Sequence, residues 1–310
     1  MDRILRLPDG SHIRLEGRIL EDQWEVTEWR KNGVLERSAR PVVAWEEVGT
    51  CDAPMTYEER AAYIVHEFEG ADRAKRLAEL NEEIEEKRMR SLRSNARRAK
   101  TMCRRVIITE GFDELLTLTY RENQEDRALC KQHFNIWFKR MKRALGSFRF
   151  CASFERQERG AMHVHVATHK LPQHAVHKGV KIKAWELGTR IWRDIVGADN
   201  GMCFVGGRKK WGGDKRHKKM RLAKMAAYVS KYIMKDFEDS PSESNRYSRS
   251  NGTEIGSVHK MRLHCTFREL IEVTFEQGDG DVVISHRVSK WGDGVWLVTE
   301  AKPDTLLCSG

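Results

Sequence analysis

The stretch of this 310-residue chain that most limits its fold is SFRFCASFE, then RQERG, then AMHVHVATH, within residues 147–169. Two apolar-rich runs flank a short polar segment ending in glycine, which predicts an antiparallel hairpin. On a strand, residues two apart share a face, so His163 and His165 project together while Val164 turns into the core. Pairing the runs about Arg159 sets Glu155 opposite His163 and Ser153 opposite His165. A carboxylate then stands beside two imidazoles on one sheet face. Two neutral imidazoles and a carboxylate leave positions open for water and a phosphate oxygen, as a catalytic divalent cation requires. His169 has the same strand parity and is the alternative third ligand. The plain structural alternative is a strand-end Glu155 paired with Arg156 or Arg159, since a one-residue slip reverses every side chain.

The second informative stretch is RLAKMAAYVSKYIMKDF, residues 221–237. At about 100° per residue, Lys224, Tyr228, Lys231, Tyr232 and Lys235 fall on one side of a helix. Leu222, Ala226, Val229, Ile233 and Phe237 form the opposite, core-seeking stripe. A phenol is a weak nucleophile near neutral pH and needs cations or a metal to act. Lys231 lies one turn from Tyr228, where it favours the phenolate or holds a phosphate. Core packing of a Tyr pair is the alternative, and it leaves the flanking lysines unexplained. The preceding loop carries Arg208, Lys209, Lys210, Lys215, Arg216, Lys218 and Lys219 with one acid, Asp214, and Trp211 as a base-stacking platform.

Elsewhere the pattern changes along the chain. Residues 1–55 alternate apolar with polar around Asp-Gly and Asn-Gly pairs, a small β-rich module. Residues 56–105 open on a Thr56…Glu59 capping box and read as one long charged helix. Its second half holds Lys87, Arg88, Arg90, Arg93, Arg97, Arg98, Lys100, Arg104 and Arg105 with no acid among them, a solvated face or a phosphate-tracking one. Residues 106–239 are mixed α/β: a strand at 115–120, an amphipathic helix at 128–145, the hairpin, a helix at 183–196, a short strand at 202–205 and the tyrosine helix. Residues 240–310 read as a Ser/Asn/Gly-rich linker to about 256, then a β-rich extension with strands in RLHCTF, LIEVTF and DVVISHRV.

Lys and Arg exceed Asp and Glu by ten, with a pI near 9.3, which favours a polyanionic partner and, without an amphipathic anchor beside the basic runs, nucleic acid over a membrane surface. No apolar stretch is long enough to span a bilayer, and no secretory leader is evident. The seven cysteines lack zinc-site spacing and suit free thiols in a reducing cytoplasm.

Taken in order, the TLTY strand, the Glu…His-x-His hairpin and the later Tyr-x-x-Lys-Tyr helix resemble the HUH endonuclease superfamily, and within it the rolling-circle replication initiators of small single-stranded DNA phages. The likeness covers roughly residues 95–250. It implies an α+β fold: an RRM-like antiparallel sheet backed by helices, here with an N-terminal β-rich segment plus long helix and a C-terminal β-rich tail. It implies His163 and His165 as ligands of Mg²⁺ or Mn²⁺, with Tyr228, Lys231 and Tyr232 as the nucleophile motif. Relaxases of the same superfamily place the tyrosine before the histidines, against the order here. The implied reaction is tyrosine attack on single-stranded or supercoiled origin DNA, leaving a 5′-phosphotyrosine and a free 3′-hydroxyl. Implied partners are the host replicative helicase and polymerase, in the bacterial cytoplasm. The implied DNA contacts are the loop residues above with Lys224 and Lys235. A two-tyrosine transposase of the same superfamily and a non-catalytic RRM-like nucleic-acid-binding protein are the alternatives.

Overall fold

The alternating N-terminal segment forms three strands, β1 (Asp2–Arg6), β2 (His12–Lys31) and β3 (Val34–Cys51). These are the coordinates of a computed structural model that describes residues 1–206, 220–235, 245–276 and 281–302. Asn32 and Gly33 join β2 to β3 with φ of 47° and 72°, the left-handed pair that a two-residue hairpin turn demands. The Thr56 capping box then starts α1 (Tyr57–Glu67), with the Glu59 amide donating to Thr56 Oγ1 and the Thr56 amide to Glu59 Oε2. The single helix expected over 56–105 is in fact two. Phe68 is extended, Gly70 takes a φ of 54°, and α2 (Gly70–Glu110) begins there. Charge and apolar spacing run through this break unaltered, and only the backbone of glycine marks it.

Next come β4 (Glu114–Tyr120), α3 (Arg127–Leu145), β5 (Phe150–Arg156) and β6 (Met162–Thr168), close to the limits read from the sequence. A small hairpin that sequence periodicity did not suggest follows, β7 (His174–His177) with β8 (Val180–Lys183). Then come α4 (Ala184–Val196), β9 (Gly201–Val205) and α5 (Leu222–Lys235). The supposed linker contains a further strand, β10 (Tyr247–Arg249), bonded antiparallel to β5 with Tyr247 opposite Ser153. Three residues among Ser and Asn carry no period of their own; β5 supplies the edge that orders them.

These strands make a five-stranded sheet in the order β10-β5-β6-β4-β9. Alternation sorts its faces. Leu116, Leu118, Phe150, Phe154, Val164 and Val166 point to one side and pack on Phe134, Trp137 and Met141 of α3 and Leu187, Ile191 and Trp192 of α4. The buried indoles are satisfied: Trp137 Nε1 donates to the Gly188 carbonyl at 2.9 Å and Trp192 Nε1 to the Thr119 carbonyl at 2.8 Å. The other side carries Ser153, Glu155, His163 and His165, and α5 lies against it over β5 and β6.

The C-terminal part supplies β11 (His259–His264), α6 (Phe267–Phe275), β12 (Val282–Val288) and β13 (Val295–Glu300). LIEVTF, expected as a strand for its β-branched residues, belongs to helix α6. Thr266 and Glu269 cap that helix reciprocally, and Leu270 packs with Trp24, Val26, Ala39 and Val295. Capping and burial outweigh a propensity difference of a few tenths of a kcal/mol per residue. Strands from both ends of the sequence enter one sheet, β1-β2-β3-β13-β12, with β11 on β2. Segments that read separately along the sequence are therefore one structural unit.

The chain thus has an α+β fold, with one unit of Met1–Arg30, Leu35–Ser91 and Ser257–Gly310 and another of Lys31–Val34 and Leu92–Gly256. Among the described residues the cysteines are free thiols, and Cys103, Cys130, Cys151 and Cys203 are buried as small apolar side chains. No helix of the described residues is long and apolar enough to cross a membrane.

Candidate metal and tyrosine site

The site grows from the hairpin register. β5 and β6 pair with Glu155 opposite His163 and Ser153 opposite His165, and β4 sets Thr117 opposite His165 on the other side. Strand parity then brings Glu155, His163 and His165 together, with one ligand atom from each lying within 4.8 Å of the others. His169 is not part of this group; its ring packs edge-on against Phe112 at 4.9 Å. Of the two third ligands left open by the sequence, Glu155 is the one beside the imidazoles.

His165 is the hub. Its Nε2 lies 2.8 Å from Glu155 Oε2, and its Nδ1 lies 3.4 Å from Thr117 Oγ1. The remaining carboxylate oxygen, Oε1, accepts a hydrogen bond from Lys235 Nζ at 2.7 Å. Burial alone would raise the Glu155 carboxyl. The hydrogen bonds and charges of His165 and Lys235 outweigh burial and hold it at about 2. His163 is driven away from its charged form: burial, helped by His165, lowers it to about 4. A carboxylate ionised at neutral pH and a neutral imidazole are the forms a divalent cation needs from its ligands. The donor set fits Mg²⁺ or Mn²⁺, provided the ion displaces the Lys235 ammonium and the proton that Glu155 now engages.

α5 is pinned over this group by Ser153, whose hydroxyl donates to the Val229 carbonyl at 2.7 Å. Tyr232 stacks on His165, with ring centroids 4.1 Å apart and planes 10° from parallel. Tyr228 meets the same imidazole edge to face at 5.6 Å, and the two phenol rings are 5.4 Å apart. Lys231 Nζ sits over both, 4.4 Å from the Tyr228 centroid and 4.7 Å from that of Tyr232. The helical stripe expected to face away from the protein therefore faces the sheet. Tyr232 is buried at 7% exposure and Tyr228 is half-buried, while Lys224, Lys231 and Lys235 remain exposed. Burial and the hydrogen bond with Tyr228 push the Tyr232 phenol well above its ordinary value. A cavity of about 410 Å³ opens beside Glu155 and Lys235, bounded also by Gln157, Glu158 and Arg159.

Lys235, read from sequence as a DNA contact, is instead a partner of Glu155 in this structure. Arg208, Lys209, Lys210, Trp211, Lys215, Arg216, Lys218 and Lys219 lie outside the described residues. Thr117 went unnoticed as a site residue. Its place in the alternation of the TLTY strand, on the face opposite Leu116 and Leu118, was the signal that could have found it.

Residues 113–237, the stretch from β4 through α5, match the model of a family of replication-associated proteins described as ORF2. No curated protein and no solved structure matches the chain. The family match supports a replication initiator protein, and it spans both the ligand hairpin and the tyrosine helix.

Proposed function

We propose that this chain is a metal-dependent endonuclease that nicks single-stranded DNA through a tyrosine and thereby starts rolling-circle replication. The observation that carries the reading is the approach of Tyr228 and Tyr232 to His165, 5.6 and 4.1 Å between ring centroids, on the imidazole that also engages Glu155. A nucleophile and a ligand set within one nucleotide's reach are the two parts such a reaction needs.

A cation bound by His163, His165 and Glu155 would polarise the scissile phosphate and offset its developing charge. The half-buried Tyr228 phenol is the first nucleophile, since it is the more accessible of the two. Its oxygen bonds to phosphorus, the bond from phosphorus to the 3′ oxygen breaks, the phenol proton passes to solvent and the 3′ oxygen takes one up. Lys231, above both rings, favours the phenolate and steadies the phosphate. Thr117 and Ser153 act indirectly, the first by orienting His165 and the second by holding α5 against β5. Tyr232 takes a second transfer once Tyr228 carries the DNA end and no longer engages its hydroxyl.

The test is incubation of the full chain with Mn²⁺ and end-labelled single-stranded DNA, resolved on a denaturing gel with the modified peptide mapped. A covalent band on the peptide holding Tyr228, absent in Tyr228→Phe, is the expected result. Full adduct yield from that variant would refute the assignment, and DNA retention only under native conditions would make the chain a binder.

A further inference from the structure

Phe154 and Glu155 are neighbours on β5 and point to opposite faces of the sheet, so the strand that carries a metal ligand also borders a second cavity. That cavity, about 560 Å³, is bounded by Lys131 and Asn135 of α3, by Phe154, and by Tyr247, Arg249 and Asn251 along the β10 edge. We propose that it binds one nucleotide of single-stranded DNA, with the phosphate between Lys131 and Arg249 and the base against Asn135, Asn251 and the Tyr247 ring. The inference deepens the nuclease reading by giving the same DNA strand a second hold, around the β10 edge from the metal group.

The chemistry of the lining selects this occupant. Among the described residues no carboxylate borders the cavity, which admits an anion and disfavours a basic peptide. Lys131 Nζ donates to the Asn245 carbonyl at 2.7 Å and lies 5.7 Å from the Phe154 ring centroid. Burial, together with the neighbouring Arg127, lowers that ammonium to about 8, so an incoming phosphate would relieve a poorly solvated cation. Arg249 is exposed and forms no ion pair among the described residues. The side-chain amides of Asn135 and Asn251 likewise have no hydrogen bond to the described residues. Each offers two donors and an acceptor, the pattern that pairs with a base edge. A duplex buries those base edges in its grooves and is too wide for a cavity of this size, so a single strand is the form that fits.

The test measures binding of a fluorescein-labelled single-stranded oligonucleotide of mixed sequence to the full chain in EDTA, where neither metal nor cleavage contributes. Asn135→Ala with Arg249→Ala should weaken binding about tenfold, the loss of one stacked or paired base with its phosphate. Arg249→Glu alone, an exposed change that spares the fold, should weaken it in the same direction. Irradiating the same oligonucleotide carrying 4-thiothymidine should crosslink the peptide holding Tyr247. Unchanged affinity in both variants, crosslinks confined to α5, or equal competition by duplex DNA would overturn the proposal. The Mn²⁺ adduct assay on the unaltered chain reports separately: no adduct beside a weakened Arg249→Glu variant sinks the nuclease reading and leaves the pocket standing.

Discussion

His165 holds Glu155 through Nε2, faces Thr117 with Nδ1 and presents its ring to Tyr232, so one imidazole couples the ligand group to the tyrosine helix. Its neighbours titrate in separable windows. His163 is lowered from 6.5 to about 4 by burial. An imidazole that must stay neutral in the fold stabilises it fully above 6.5, and that contribution is lost as pH falls toward 4. Glu155, lowered from 4.5 to about 2 against the pull of burial, contributes above 4.5 and loses its contribution only as pH falls toward 2. In chelator-treated protein, His163→Asn should therefore flatten the decline in melting temperature between pH 6.5 and 4.5, and Glu155→Gln should act below that range. Superimposed melting curves for His163→Asn and the unaltered chain would show that this imidazole is not desolvated.

At the scale of elements, α5 is positioned by few polar contacts, and the Ser153 hydroxyl on the Val229 carbonyl is the buried one. Ser153→Ala removes the donor, and the carbonyl keeps only its bond within the helix. The expected cost is about 1 kcal/mol, read as a lower denaturation midpoint with an unchanged slope. Because the same bond fixes the phenols over His165, adduct yield should fall by more than stability alone accounts for; a variant with normal yield would separate the anchor from the chemistry. The basic half of α2 poses its own question. Arg90, Arg97 and Arg98 are exposed on that helix. If they track phosphates, replacing all three with Gln should reduce the salt slope of single-stranded DNA binding by about two. An unaltered slope makes them a solvated face.

At the scale of the whole molecule, the first sheet draws strands from both ends of the sequence, with β11 on β2 and β13 beside β3. Ending the chain at Gly256 would strip β11, β12, β13 and α6 from that sheet. Trp24, Val26 and Ala39 would lose Leu270 and Val295, and β2 and β3 would present long unpaired edges. Each large apolar side chain returned to water costs roughly 1.5–3 kcal/mol, and open edges invite aggregation. The truncated chain should be recovered mainly as aggregate. Soluble, monomeric protein with intact near-ultraviolet signal would mean that the N-terminal strands need no C-terminal partner.

Period and parity, read from the sequence alone, decided which residues share a face: His163 with His165 on β6, Glu155 and Ser153 across from them, and Tyr228 with Lys231 and Tyr232 on α5. Those rules follow from backbone geometry within an element and need nothing distant. Tertiary structure alone decided what each face meets. It turned the phenol stripe onto His165, gave Lys235 to Glu155, sent His169 to Phe112, drew β10 onto the edge of β5 and made α6 helical against Trp24. Such choices depend on which sheet edge is unpaired and which apolar surface is uncovered once the rest has folded. Neither condition leaves a periodic mark on the residues that answer it.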